Sequence, residues 1–225
     1  MQHASSLFSA ADRQRINQTI QAAEALTSAE IVPVVATASG RYDRAEDLVG
    51  LWLGVLLVIA VSVFSPAAVA EPGSWDSHPL LWQTLQLVAV LLGGFLVGAV
   101  LSSRIAWLRR LFTPATQMRD EVNQRARSVF FDNRVHHTQA GGGLLIYISL
   151  FEQIAVILAD QQILDALGQS PLNDLCQSLT QQLRNNQPTE ALCQTIQAAS
   201  KKLQPVLPRA HDDANELPDS LVTID

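Results

Sequence analysis

The fold of this chain is decided by LVGLWLGVLLVIAVSVFSPAAVA at residues 48–70 and LLWQTLQLVAVLLGGFLVGAVLSS at residues 80–103. Neither stretch contains a charged residue, and each exceeds the about 20 residues that a helix needs to cross the hydrocarbon core of a membrane. A water-soluble helix of that length would carry polar residues along one face. A short polar linker joins the two stretches, so we predict a transmembrane hairpin.

Basic residues lie only at the ends of the predicted spans that are away from the linker. Two arginines precede the first span and three follow the second, whereas the linker at residues 71–79 contains neither Lys nor Arg. Because Lys and Arg favour the cytoplasmic side of a membrane, we expect two spans across the cell inner (plasma) membrane, with both termini cytoplasmic. Neither span contains an ionisable side chain of the kind that lines ion and proton paths, so an anchor is favoured over a transporter.

Each predicted span contains two glycines four residues apart: Gly50 and Gly54 in the first, and Gly94 and Gly98 in the second. Glycines at this spacing allow two helix backbones to approach closely in a membrane. They indicate either that the two spans pack on each other or that one of them drives dimerisation. The alternative is that glycine is simply common in membrane helices.

The flanking sequence has the periodicity of a water-soluble α/β domain. We predict helices over residues 10–26 and from Thr113–Pro114 to about 132, further helices starting at Ser170–Pro171 and Pro188, and strands over residues 31–36, 144–150 and 154–158. Strands separated by helical crossovers indicate a small mixed sheet covered by helices. The expected organisation is a first part of the domain at residues 1–46, the hairpin at 47–108, a second part at 109–208 and an acidic tail at 209–225.

Three stretches of the soluble sequence resemble the TPM-domain family, named for thylakoid-lumen, photosystem-repair and acetylcholine-receptor-associated members. They are FSAADRQRI with ALTSAEIV at residues 8–16 and 25–32, RVHHT with GLLIYISLFE at 134–138 and 143–152, and DANELPD at 213–219. The resemblance is greatest to bacterial membrane members. It implies a helix-covered sheet, and relatives include reported acid phosphatases, calcium-binding proteins and accessory factors of membrane complexes. Family members usually keep their membrane segments outside the domain, whereas here the hairpin lies within it.

Three carboxylates stand at predicted strand ends, where ligands tend to bind in α/β folds. Glu30 opens the first strand, Glu152 lies at the turn between the next two, and Asp160 follows the last. Calcium takes six to eight oxygen ligands, so calcium or another divalent cation is a candidate cofactor, although no EF-hand spacing is present. The alternative is solvated charge at the ends of elements.

Two adjacent histidines, His136 and His137, are candidate phosphate or metal ligands. They follow a predicted helix, so the alternative is an imidazole interacting with the helix dipole. Ser149 lies inside an apolar strand and is expected to be structural. Gly141 to Gly143 precede a strand, whereas phosphate-binding glycine loops open a helix.

These observations favour an accessory or assembly module for membrane protein complexes, and they leave open whether the chain catalyses a reaction. One alternative is a divalent-metal-dependent phosphatase using Glu30, Glu152 and Asp160, and another is a calcium-binding structural module. The expected partners are the lipid bilayer and either other membrane proteins or a second copy through the glycine motifs. A net charge of −6 without a long basic run argues against nucleic acid.

Overall fold

The computed structural model describes residues 3–64, 79–135, 142–209 and 217–225. The helices are α1 (Ala4–Leu7), α2 (Ala10–Glu24), α3 (Asp43–Phe64), α4 (Pro79–Arg104), α5 (Ala106–Leu111), α6 (Ala115–Asp132), α7 (Gln161–Leu167), α8 (Gln169–Leu183) and α9 (Pro188–Leu203). The strands are β1 (Glu30–Ala36), β2 (Gly143–Ser149), β3 (Ile154–Ala159) and β4 (Val222–Ile224). The chain divides into a hairpin unit at residues 41–115 and an α/β unit formed by residues 2–40 and 116–225.

The α/β unit is built on a four-stranded sheet in the order β3-β2-β1-β4. β1 pairs in parallel with β2 and with β4, while β2 and β3 form an antiparallel pair. The parallel β1–β2 pair joins the sequence before the hairpin to the sequence after it, with Glu30 opposite Gly143 and Ala36 opposite Ser149. The predicted small mixed sheet covered by helices is thereby confirmed.

Helices cover both faces of this sheet, which explains why β1 and β2 are buried along their whole length. Alternate residues of β2 point to opposite faces. Leu144, Ile146 and Ile148 enter a core that also contains residues of α2, α8 and α9. Leu145 and Tyr147 enter a second core with residues of α6. The sheet is therefore the middle of three layers.

Local signals in the sequence explain where the first long helix begins. Ser9 caps α2: its hydroxyl accepts a hydrogen bond from the Asp12 N–H, and the Asp12 carboxylate accepts one from the Ser9 N–H. This reciprocal capping box satisfies two backbone donors that the helix cannot satisfy itself. The predicted helix over residues 10–26 ends two residues earlier, at Glu24.

The structure differs from the sequence analysis at several short elements. α5 and α7 form where no helix was expected. Val222–Ile224, within the stretch expected to be an acidic tail, forms an edge strand. A three-residue strand has too little periodicity to be recognised without the neighbour that it pairs with.

The hairpin unit contains two helices long and apolar enough to cross a membrane, at Arg44–Phe64 and Leu81–Arg104. Residues 65–70 of the first predicted span lie outside the described residues. A side-chain Cβ at Gly94 would lie 2.7 Å from the Cα of Gly54, and one at Gly98 would lie 2.7 Å from the Cα of Gly50. The two helices thus meet through glycines, at a separation that a larger residue would prevent.

Candidate functional site

A cluster of polar side chains lies where β1 and β2 end. It consists of Ser39, which is half-buried, and the buried Tyr147, Ser149 and Glu152, and we call it the Glu152 cluster. β2 continues beyond its last strand residue, and the N–H of Phe151 donates to the Thr37 carbonyl at 3.0 Å. The chain then reverses into β3 through Gln153, whose φ of 56° is unusual for a residue other than glycine. This turn holds Glu152 against the chain that leaves β1.

The Glu152 carboxylate joins two distant segments. Its Oε1 accepts hydrogen bonds from the backbone N–H groups of Ser39 at 2.8 Å and Gly40 at 3.3 Å. Its Oε2 accepts one from the Ser149 hydroxyl. Glu152 is 1% exposed and Ser149 is fully buried. Several donors thus satisfy a carboxyl group whose burial without hydrogen bonds would be costly.

The hydroxyl groups of the cluster form a chain that ends at this carboxylate. The Ser39 hydroxyl donates to Ser149 Oγ at 2.9 Å, so the Tyr147 hydroxyl donates to Ser39 Oγ, also at 2.9 Å. Burial raises the pKa of the Tyr147 phenol, which keeps it protonated as a donor. Because the Ser149 proton is directed at Glu152 and its oxygen is buried, the arrangement orders the strand ends and offers no exposed nucleophile at Ser149.

Asp160 lies at the opposite end of the sheet and has a double capping role. Its Oδ1 accepts a hydrogen bond from the Ile163 N–H at 2.9 Å, which caps α7. Its Oδ2 accepts one from the Gly143 N–H at 3.0 Å, at the start of β2. Both carboxylate oxygens therefore contact backbone donors, and the residue fixes the start of one helix and one strand.

A second group of carboxyls, which we call the Glu24 cluster, consists of Glu24, Glu30 and Asp219. Glu24 Oε1 accepts a hydrogen bond from the Ile31 N–H at 3.0 Å, and the Glu24 and Asp219 carboxyls are hydrogen-bonded to each other. Burial raises the pKa of Glu24 to about 8, against the effect of the Ile31 N–H and in the same direction as the charges of Glu30 and Asp219. Burial, which disfavours the charged form, is the main cause of the raised pKa of Glu24, and the neighbouring carboxyls act in the same direction.

The three carboxylates proposed from the sequence as metal ligands are not brought together. Glu30 and Asp160 both flank the start of β2, whereas Glu152 follows its end. The strand between them spans about 20 Å at its usual rise per residue, so one cation cannot contact all three. Among the residues that the structure describes, no group of three or more His, Cys, Asp or Glu side chains is arranged to hold a metal ion.

The remaining candidates from the sequence are the two adjacent histidines and the glycines before β2. His136 and His137 lie outside the described residues, as does Gly141. Gly143 has a packing role, because a Cβ there would lie 1.7 Å from the carbonyl oxygen of Val135. The backbone of Val135 thus occupies the space that a side chain would need.

Sequence reasoning missed Ser39, Tyr147, Glu24 and Asp219. A partial signal existed for Tyr147, because residues two apart in a strand share a face and Tyr147 is two residues before Ser149. No local signal pairs Glu24 with Asp219, since the contact depends on where the C-terminal strand lies in the sheet.

The comparisons with known proteins identify the fold. No family model matches the sequence, and no curated protein matches it. The NMR structure of the BA42 protein from the psychrophilic bacterium Bizionia argentinensis is similar, with a TM-score of 0.55 and 17% sequence identity, and the match covers 96% of this chain and 94% of that chain. This likeness supports a TPM-domain-like fold and, at that identity, the fold alone.

Proposed function

We propose that this chain is an accessory or assembly module for membrane protein complexes, whose α/β unit is anchored by the α3–α4 hairpin at the cytoplasmic face of the inner membrane. The observation that carries the proposal is the insertion of an apolar hairpin into a domain whose two sequence halves pair as parallel strands β1 and β2. A domain joined to such a hairpin at two points stays at the membrane surface.

The surface of the hairpin is of the kind that lipid favours. In a water-soluble pair of helices, large apolar side chains fill the interface. Here four glycines allow the two backbones to approach closely, while Trp52 is 58% exposed, Phe64 85% and Leu96 63%. Small residues between helices and large apolar residues facing outward are typical of membrane helix pairs. In the most apolar segment of each helix, only 17% of α3 and 11% of α4 is buried.

The two connections to the hairpin leave the α/β unit close to each other. A Cβ at Gly40, where the chain leaves the unit, would lie 2.8 Å from Cγ of Glu121 on α6, the helix by which the chain returns. The Glu152 carboxylate holds the Ser39 and Gly40 backbone at this exit. Because the two connections lie close together and the exit is held by hydrogen bonds, the two sequence segments of the domain can fold as one unit despite the insertion.

The polar groups of the α/β unit support binding over hydrolysis. Ser149 donates its proton within the buried cluster, and both oxygens of Asp160 accept from backbone N–H groups. These side chains stabilise the fold. Among the described residues of this unit, the large apolar side chains Leu26 (45%), Phe131 (59%) and Val206 (36%) are exposed and available for a protein partner.

The test is site-specific photocrosslinking of the full-length protein in intact cells. A photoreactive amino acid at Phe131 should give a discrete adduct with another membrane protein, and the same substitution at the exposed Arg119 of α6 serves as the control. Blue-native electrophoresis should place the chain in an assembly that contains the crosslinked protein. A chain that migrates alone and gives no adduct at Phe131 or Leu26 would contradict the proposal.

Divalent-cation chemistry is the alternative expected from the sequence, and it is tested directly because the described residues bring no group of three or more His, Cys, Asp or Glu side chains together to hold a metal ion. Phosphatase activity of the detergent-purified chain is measured with and without magnesium, manganese and calcium. Turnover that depends on a divalent ion and is lost in Glu30→Gln would favour the phosphatase. A calcium-dependent rise in melting temperature without turnover would favour structural calcium.

A further inference from the structure

The short helix α5 follows α4 after a break at Ile105, whose φ and ψ of −109° and 93° are extended. Just before the break, the Ser103 hydroxyl donates to the Val100 carbonyl at 2.8 Å, and such hydroxyls compete with the helical backbone bonds. α5 packs against both α3 and α4. The chain therefore turns after the second apolar helix and runs along the end of the hairpin where α3 begins and α4 ends, which we call the base of the hairpin.

One face of α5 is fixed to the hairpin by an ion pair. Arg109 Nη1 lies 3.0 Å from Glu46 Oε1 on α3, and these two side chains are only 19% and 25% exposed. The opposite face carries Trp107 and Leu111, one helical turn apart, and each is 69% exposed. Adjacent exposed apolar side chains of this size mark a surface for contact with a membrane or another molecule.

Exposed arginines lie at the same end of the hairpin. Gly50 is opposite Gly98 and Gly54 is opposite Gly94. The same register, continued towards the base of the hairpin, places Arg44 at the level of Arg104. Both arginines are exposed, and Arg110 on α5 is half-buried. The apolar face of α5 is thus bordered by cationic groups.

We infer that the base of the hairpin binds anionic phospholipids of the cytoplasmic leaflet, with Trp107 and Leu111 inserted at headgroup depth and Arg104 and Arg110 contacting lipid phosphates. The inference rests on the proposed membrane anchoring and adds a lipid class to it. Tryptophan favours the membrane interface, and basic side chains beside an apolar helix face attract anionic headgroups.

Lipid is favoured over a protein partner because the exposed face of α5 follows directly on the lipid-type surface of α4. Leu96, Val100 and Leu101 on the last turns of α4 are 63%, 59% and 44% exposed. A bilayer that surrounds those side chains brings its headgroups to the level of the break at Ile105. The same leaflet then meets the apolar and the cationic groups of α5.

The test uses the full-length protein in vesicles of phosphatidylcholine with one anionic lipid, phosphatidylglycerol, and measures by native mass spectrometry which lipids stay bound on release. We expect phosphatidylglycerol to be retained preferentially. The double variant Arg104→Gln, Arg110→Gln should lower the ratio of anionic to zwitterionic lipid by about 25-fold, since each arginine near an anionic surface contributes a factor of about five. Arg119→Gln, Arg127→Gln on α6 is the matched control with the same loss of charge.

A second measurement locates Trp107 by quenching with lipids brominated at different depths. The contribution of Trp107 is the difference in fluorescence between the wild type and Trp107→Phe. This contribution should be quenched most by bromine near the headgroups. Equal lipid ratios in the double variant and its control, or a Trp107 that brominated lipid does not quench, would overturn the inference. Crosslinking between two copies through Trp107→Cys would assign the face to a second copy instead. Extraction of the wild-type chain by alkaline carbonate would instead contradict the anchoring on which the inference rests.

Discussion

The Glu152 carboxylate accepts a hydrogen bond of 2.8 Å from the backbone N–H of Ser39, across 113 positions of sequence. Between these two residues the chain passes through the whole hairpin unit. The contact therefore joins the two sequence segments of the α/β unit at the point where the chain leaves this unit. The end of the first sequence segment of this unit is thus held by a residue of the second segment.

Ser149→Ala should destabilise the α/β unit by about 1–3 kcal/mol, because the buried Glu152 carboxylate loses its hydroxyl donor. Ser128→Ala, at an exposed position of α6, should change the free energy of unfolding by less than about 0.5 kcal/mol. Denaturant unfolding of the detergent-solubilised chain, followed by circular dichroism, measures both. Equal effects of the two substitutions would show that the cluster does not contribute to stability.

Glu24→Gln should change how stability depends on pH. The pKa of Glu24 is raised from 4.5 to about 8 in the folded protein, so the folded state holds this proton more tightly than the unfolded chain. The associated stability is complete below pH 4.5 and is lost as the pH rises from 4.5 to 8.

The melting temperature of the Glu24→Gln variant should therefore rise relative to that of the wild type as the pH increases through this interval. The difference between the two should become constant above pH 8. Gln retains the oxygen that accepts from the Ile31 N–H. Asp120→Asn, at an exposed position of α6, controls for the loss of one negative charge. A difference between Glu24→Gln and wild type that stays constant from pH 4 to 9 would refute the prediction.

Gly94→Ala and Gly93→Ala differ by one position and should differ in effect. A Cβ at Gly94 would meet the Gly54 backbone at 2.7 Å, whereas one at Gly93 would have nothing within 4 Å. We expect Gly94→Ala to destabilise the hairpin by about 1–3 kcal/mol through overpacking and Gly93→Ala to leave its stability unchanged or slightly raised. Thermal unfolding in nanodiscs measures this, and a tolerant Gly94 would argue against close packing of the two helices.

The proposed orientation of the hairpin predicts which positions a membrane-impermeant maleimide reaches in spheroplasts. In a chain whose Cys176 and Cys193 are replaced by alanine, Ser77→Cys in the linker should be labelled from outside. Ser178→Cys, on the exposed face of α8, should be labelled only after the membrane is permeabilised. The reverse pattern would place the α/β unit outside the cytoplasm.

Local patterns allowed much of the fold to be predicted, whereas the candidate site was predicted only in part. The Ser9 capping box, the apolar strands β1 and β2 and the helix after Pro188 are short-range features, and they lie where the sequence indicated. Glu152 and Asp160 were recognised as residues at strand ends. Their shared metal site was not supported by the geometry, because position in sequence does not say at which end of the sheet a residue lies.

The sequence by itself determined the two apolar helices, because their length and apolar composition are properties of one continuous stretch of chain. It also determined the α/β class, since strand and helix periods are local properties of the chain. Only the tertiary structure decided the strand order, the pairing of Val222–Ile224 with β1, the contact of Glu152 with Ser39 and the contact of Glu24 with Asp219. These depend on the relative positions of segments far apart in sequence, which packing of the whole domain sets.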